Sequence, residues 1–171
     1  MNKPHLTRYS EVNNDEILWR RARAEWEVVK LLKVGKEATE RVKEALDLVN
    51  RALELNEYNS NAHRWKAIIS NGYAEKLGMK EQFGNLPTMK YHLDRALELD
   101  PSDGTACTLL GIWHMELQGL SWIQRRFAAT FLGSIPSTSY EEALQHFLRA
   151  EEVAPRAWVR NLFLIAKAYL T

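Results

Sequence analysis

The feature that most constrains the fold of this chain is an internal repeat. Residues 51–55 and 95–99 both read Arg-Ala-Leu-Glu-Leu, and a looser copy occupies residues 149–153. The copies therefore start 44 and then 54 residues apart. A period of this size is typical of stacked helical units, each too small to bury its own apolar face. The repeat predicts an interaction protein that binds partners along an extended surface, and it disfavours an enzyme.

The apolar residues recur at steps of three and four, as they do on one face of an α-helix. In the segments that end with the repeated sequence they are Val42, Ala45, Val49 and Ala52, then Met89, Leu93 and Ala96, then Ala143, Phe147 and Ala150. In the segments before these they are Trp19, Ala22, Trp26 and Val29, then Trp65, Ile69 and Tyr73, then Ala106, Leu110, Trp113 and Leu117. Since no alternating strand pattern is present, we predict an all-α fold, a superhelical solenoid of antiparallel helix pairs with about seven main helices and one extra helix.

Turn and capping residues give the predicted domain organisation. A flexible N-terminal arm over 1–13 precedes a single domain over 14–171 with about three and a half repeats. The sequence Asp100-Pro101 predicts a helix start, and Ser139 with Glu142 predicts a capping box at another. The extra residues of the second and third repeats predict longer first helices, a loop from Gly78 to Pro87, and an inserted helix around 119–136.

The segment from Pro155 to Leu170 is apolar nearly all round. A helix of this composition is expected to be buried, yet no second helix follows it to complete a repeat. We therefore expect the chain to be truncated at its C-terminus, or this last helix to be covered in a homodimer.

Charge and cysteine content exclude several classes of function. The formal net charge is +1, so bulk electrostatics predicts no binding to nucleic acid. Cys107 is the single cysteine, and we interpret it as a small core residue, not a metal ligand or nucleophile. The five histidines lack the i, i+4 spacing of a helical metal site, and no phosphate-binding or hydrolase motif is present. We therefore predict no catalytic residues, no metal and no cofactor.

Two resemblances to known families follow from specific residues. Leu110 with Gly111, and Ala143, Phe147, Ala150 and Pro155, match the two helices of a tetratricopeptide repeat. The stretch from Leu18 to Ala24 and the Trp-Ile-Gln-Arg-Arg insertion that begins at Trp122 resemble the regulator of microtubule dynamics family. Ordinary tetratricopeptide proteins lack that insertion.

The second resemblance implies a cytoplasmic, non-enzymatic protein that associates with microtubules and the mitotic spindle and acts in chromosome segregation. A membrane-anchored branch of the family implies the alternative, a phospholipid-binding or transfer module at organelle contact sites. No run of 18 apolar residues is present, which disfavours the alternative without excluding it.

A basic stretch on the first helix is the first candidate binding site. Its bases are Arg20, Arg21, Arg23, Lys30 and Lys33. Because tubulin has acidic, flexible tails, such a face could bind it, or another acidic protein segment, through salt-sensitive contacts. The competing interpretation is an ordinary solvated helix face whose arginine stems cover apolar surface.

The groove and the insertion are the second candidate. Trp65, Tyr73, Trp113 and His114 fall on first helices, which line the inner side of a tetratricopeptide superhelix. Trp122, Arg125 and Arg126 belong to the insertion, where the planar arginine side chains suit carboxylates or lipid phosphates. The competing interpretations are that the tryptophans pack in the core and that the arginines pair with helix-end acids.

Overall fold

The computed structural model describes residues 13–32, 35–133 and 135–171, and over these ranges its regular structure is entirely helical. The eight helices of these ranges are α1 (Asp15–Leu31), α2 (Lys36–Leu55), α3 (Ser60–Leu77), α4 (Met79–Leu99), α5 (Gly104–Gln118), α6 (Trp122–Leu132), α7 (Tyr140–Val153) and α8 (Val159–Tyr169). The predicted all-α fold class is confirmed.

The helices pack in the order expected of stacked pairs. Helix α1 packs on α2, α3 on α4, and α5 on α7, and each pair contacts the first helix of the next. Helix α8 packs on α7, as the first helix of a further pair would. Helix α6 interrupts the third pair and lies against α4. This arrangement agrees with a helix-pair solenoid.

The core consists of three apolar clusters, one for each pair. Ala22, Val42 and Ile69 belong to the cluster that joins α1, α2 and α3. The second cluster joins α3, α4 and α5, and the third joins α5, α7 and α8. The residues that the periodicity placed on the second helices are all buried, from Val42 to Ala52, from Met89 to Ala96 and from Ala143 to Ala150.

The prediction of a loop from Gly78 to Pro87 is wrong, because α4 begins at Met79 and continues through Pro87 for 21 residues. Gly78 has a φ of +118°, which ends α3 and lets α4 start at the next residue. Pro87 cannot donate the helical hydrogen bond to Phe83, which costs stability. Burial of Phe83 and Met89, on either side of the proline, offsets that cost. The residues predicted as a loop therefore belong to the second helix of the second repeat.

The start of α5 also differs from the prediction. Asp100 caps the C-terminus of α4, and Asp103, three residues later, accepts hydrogen bonds from the backbone of Thr105 and Ala106 as the N-cap of α5. The Asp103 carboxylate is buried and also accepts a hydrogen bond from Arg64 on α3 at 2.5 Å. The second repeat is thus tied to the third by a charged pair. The predicted capping box of Ser139 and Glu142 is present at the start of α7.

The last helix is less buried than its composition predicts. Val159, Phe163 and Leu170 are 78, 67 and 88% exposed, whereas Asn161, Leu164 and Ala168 face α5 and α7. In the single chain this helix is therefore covered on one side and exposed on the other, and its cover by a missing segment or by a second copy stays a prediction. Across the ranges that the structure describes, no helix combines the length and the apolar character needed to cross a membrane.

Candidate functional site

A cleft of about 580 Å³ lies between three first helices of the stack. Helix α5 forms its middle through Ile112, Met115 and Glu116, and the end of α3 and the outer side of α8 form its walls. The start of α4 closes one end with Met79 and Phe83. The cleft is therefore open to solvent, has an apolar floor, and joins parts of three repeats.

The sequence of α5 explains why a cleft forms here. Nearly every residue from Ala106 to Leu117 is buried, so α5 passes through the middle of the domain and its neighbours pack around it. Glu116 is the exception, since it is exposed while the residues on both sides of it are buried. The cleft is the place where this carboxylate reaches solvent.

Opposite charges line the cleft. Glu75 on α3 and Glu116 on α5 are both acidic, and Arg160 and Lys167 on α8 are basic. The surrounding protein raises the pKa of Glu116, and the neighbouring charge of Glu75 raises it further, whereas Arg160 and Lys167 oppose the shift. A ligand that fits the cleft would place apolar groups on its floor and charged groups at its walls.

Two predicted groove residues lie in the core. Trp113 is 2% exposed and donates a hydrogen bond from Nε1 to the carbonyl oxygen of Leu86 at 3.1 Å. Trp65 is also buried, and the guanidinium of Arg23 lies over its ring at 5.5 Å. Both tryptophans therefore pack in the core, as the competing interpretation predicted, and neither side chain lines the cleft.

The other two predicted groove residues also lie away from the cleft. Tyr73 is half-buried and lines a separate pocket of about 410 Å³ among α2, α3, α4 and α6. His114 is buried, contacts the hydroxyl of Thr138 through Nδ1 at 2.5 Å, and stacks on His146 with ring centroids 5.2 Å apart. Burial lowers the pKa of both histidines.

The two arginines of the insertion have different environments. Arg125 donates hydrogen bonds to the carbonyl oxygens of Leu117, Gln118 and Leu120 at 3.1, 2.9 and 3.2 Å, and so caps the C-terminus of α5. Arg126 is exposed beside Trp122, which is 69% exposed. The partners of Arg125 are backbone carbonyls and not the helix-end acids that the alternative predicted.

The basic stretch of α1 is interleaved with acids. Arg20 pairs with Glu16 and Lys30 with Glu27, each within one turn of the helix. Because residues three and four apart share a face, the exposed Arg20, Arg23 and Lys30 lie beside those two carboxylates. The face is therefore less basic than the run of arginines and lysines indicates.

Arg21 and Lys33 are the remaining two residues of the basic site predicted on α1. Arg21 is half-buried, to one side of the exposed face. Lys33 lies outside the described residues.

The walls of the cleft were not predicted from the sequence. A signal was available, because Glu116 is the one carboxylate in α5, and Arg160 and Lys167 are the charged residues of the otherwise uncharged α8.

A metal-binding site was also sought among the described residues. Within 13–32, 35–133 and 135–171, no three histidine, cysteine or carboxylate side chains lie together in a way that could bind a metal ion.

Comparison with known proteins gives consistent matches. Residues 3–171 match the family model described as regulator of microtubule dynamics protein 1-3. The chain is 41% identical to regulator of microtubule dynamics protein 1 of Mus musculus over 166 residues, which are 96% of this chain and 54% of the relative. It is 32% identical to protein 2 of Rattus norvegicus over 97% of this chain and 40% of that relative. It is 30% identical to protein 3 of Xenopus laevis over 92% of this chain and 34% of that relative. The chain thus spans about half the length, or less, of these curated relatives.

Proposed function

Because the chain belongs to the regulator of microtubule dynamics family, we propose that it is a non-enzymatic binding module that takes part in regulating microtubule dynamics. The observation that supports the proposal most is the extent of the match, residues 3–171, which includes all eight described helices. Cytoplasmic location on the spindle and a role in chromosome segregation are part of this proposal.

The surface proposed to contact tubulin is the exposed face of α1 with Arg20, Arg23 and Lys30. Each exposed contact between such a base and a carboxylate contributes about 0.2–1 kcal/mol and is screened by salt. Glu16 and Glu27 already neutralise part of this face, so an acidic tubulin tail has to compete with them. The proposed contact is therefore weak for each residue, and it depends on several bases acting together.

Co-sedimentation with microtubules tests this contact. We expect Arg20→Gln/Lys30→Gln to bind about tenfold more weakly than the wild-type chain, since two exposed ion pairs are lost. The matched control is Lys36→Gln/Lys43→Gln, which removes the same charge from exposed positions of α2. Equal loss in both variants would mean that net charge, and not this face, governs binding. No pelleting of the wild-type chain at low salt would contradict the proposal.

The cleft supports a second candidate, phospholipid binding. Its apolar floor, its volume of about 580 Å³ and the bases Arg160 and Lys167 on one wall suit an acyl chain and a phosphate. In this candidate the phosphate contacts are assigned to α8, since the Arg125 guanidinium is already bonded to three carbonyl groups. Native mass spectrometry of the purified chain tests it. We expect a co-purified lipid that is lost in Arg160→Glu/Lys167→Glu and kept in Arg126→Glu/Lys43→Glu.

The exposed side of α8 supports a further part of the proposal, a homodimer formed through this helix. Val159, Phe163 and Leu170 present the apolar surface that a second copy would cover. Light scattering at several protein concentrations measures the oligomeric state. We expect a dimer that Phe163→Gln/Leu170→Gln converts to a monomer, and a wild-type chain that is monomeric at every concentration would exclude this contact.

A further inference from the structure

Helix α6 has an unusual exposed surface, which we name the α6 patch. Its apolar members are Trp122, Ile123, Phe127 and Phe131, which are 69, 63, 39 and 41% exposed. Of the eleven residues of α6, Ala128 alone is buried. A contiguous set of large apolar side chains left in water is more often an interaction site than an accident of folding.

The patch is held in a fixed orientation. The ring of Phe127 packs edge-on against Phe83 of α4 at 6.0 Å and against Phe131 at 5.0 Å. A capping box formed by Ser121 and Gln124 begins the helix, and the bonds from Arg125 to the carbonyls at the end of α5 anchor its first turn. The exposed side chains therefore belong to a helix that is capped and packs on α4, so binding would require little ordering of the backbone.

The charges around the patch are predominantly positive. Helix α6 contains Arg125 and Arg126 and no acid. The amine of Lys80 lies 5.7 Å from the Phe131 ring, and Glu81, the next residue of α4, lines the same pocket as Phe131. Arg126 is exposed on the helix face between Trp122 and Thr130, so a base lies within the apolar patch itself.

We propose that the α6 patch docks the domain onto the surface of an anionic lipid bilayer. A short helix with aromatic and aliphatic side chains beside arginine is the pattern that lies in the interface of a membrane, with its rings at the level of the headgroups. The arginine stem can lie along the apolar region while its guanidinium binds lipid phosphate. A protein partner fits less well, because binding hot spots concentrate in enclosed pockets, whereas this patch is the outer side of a peripheral helix. This docking is independent of the proposed microtubule contact on α1 and of any lipid held inside the cleft.

Vesicle flotation with the full chain tests the proposal. The probes are phosphatidylcholine vesicles with and without about a third phosphatidylserine, at low and high salt. We expect binding to the anionic vesicles that salt weakens and that neutral vesicles do not support. Trp122→Gln/Ile123→Gln and Arg126→Glu should each weaken binding about tenfold. The control Leu31→Gln/Tyr58→Gln replaces one aliphatic and one aromatic residue that are 87 and 65% exposed elsewhere, and it should bind as the wild-type chain does.

Each remaining outcome overturns the proposal. If the wild-type chain stays with the soluble fraction, or binds neutral vesicles equally well, there is no anionic membrane site. If the control loses as much binding as Trp122→Gln/Ile123→Gln, apolar exposure in general is responsible and not α6. If the α6 variants float normally but fail to pellet with microtubules, the patch contacts protein. Circular dichroism of every variant checks that the exposed substitutions leave the helices intact.

Discussion

The aromatic ring of Phe147 on α7 lies directly against the Cα of Gly111 on α5, so close that a Cβ at residue 111 would overlap ring carbon atoms. The contact joins the two helices of the third pair, which α6 separates along the chain but not in space. Both residues belong to the sequence match with a tetratricopeptide repeat, Gly111 on its first helix and Phe147 on its second. Gly111 and Phe147 are both buried, so neither can move aside into solvent.

Gly111→Ala should destabilise the protein. Alanine favours the helix by about 1 kcal/mol, but the overlap with the buried ring forces a shift of α5 or α7, and overpacking of this kind costs about 1–3 kcal/mol. We expect a net fall of about 1–2 kcal/mol in the free energy of unfolding, measured by urea denaturation. Gly84→Ala is the matched control, because no atom lies within 4 Å of the added Cβ in the interior of α4. The control should be stabilised, and the opposite order of the two variants would contradict this packing.

Much of the fold could be predicted because the apolar residues follow one period. The second helices show it best, since Ala45, Leu93 and Phe147 lie at positions that the spacing assigns to the core, and all three are fully buried. Helix ends were harder to predict. Pro87 usually ends or kinks a helix, and here the burial of Phe83 and Met89 overrides that local preference. Local pattern contains no information on such tertiary compensation.

Arg125 and Arg126 should differ sharply in their effect on stability. Arg125→Ala removes a guanidinium that donates hydrogen bonds to three carbonyl groups at the end of α5. A hydrogen bond to a charged group contributes about 1.5–3 kcal/mol. We expect a loss of about 2 kcal/mol in the free energy of unfolding. Arg126→Ala, at the next and exposed position, should change it by less than about 0.5 kcal/mol. Equal effects would show that Arg125 is not the cap of α5.

Glu116 should be less favourable to folding than a neutral residue. The pKa of Glu116 is raised in the folded state, so this carboxyl loses its proton at a lower pH in the unfolded chain than in the folded chain. The free energy of unfolding therefore falls as the pH rises from the unfolded-state pKa to the folded-state pKa. Glu116→Gln should therefore raise the midpoint of thermal unfolding at pH 7 and flatten its dependence on pH above the ordinary glutamate pKa of about 4.3. Glu44→Gln on the exposed face of α2 is the control, with no comparable gain expected. A less stable Glu116→Gln variant would mean that the attraction of Arg160 and Lys167 outweighs the desolvation of the carboxylate and its repulsion by Glu75.

The candidate site was harder to predict than the fold. Sequence spacing placed Trp65 and Trp113 on first helices correctly, but it could not show which side of each helix faces solvent, and both rings lie in the core. The cleft depends on how α5 and α8 pack. This packing brings Glu116 close to Arg160 and Lys167, although more than 40 residues of sequence separate them. No local pattern encodes that packing.

His92 should make the stability of the domain depend on pH. The pKa of His92 is lowered to about 4. Burial is the largest cause, and the neighbouring His63 and Lys66 contribute to the same shift. The Nδ1 atoms of His63 and His92 are 2.8 Å apart, and Nε2 of His63 donates to the carbonyl oxygen of Glu57, so Nδ1 of neutral His63 accepts from Nδ1–H of His92. A second proton on His92 would place a positive charge beside Lys66. The unfolded chain, in which the pKa is about 6.5, therefore binds more protons than the folded chain between pH 6.5 and 4. Stability is present above this window and is lost as the pH falls through it.

Urea denaturation at pH 7 and pH 5 measures this contribution of His92. We expect the wild-type chain to lose on the order of 2 kcal/mol through His92 alone, with further loss from His114 and His146, whose pKa values are also lowered. His92→Leu places at this position the residue that the first repeat has at Leu48, and it should reduce the pH dependence by the share of His92. Leu93→Val is the control, because it weakens the same core without removing a titrating group, so its unfolding free energy should be lower at both pH values by a similar amount. An unchanged slope in His92→Leu would show that the hydrogen-bonded pair of histidines does not control the acid sensitivity of the fold.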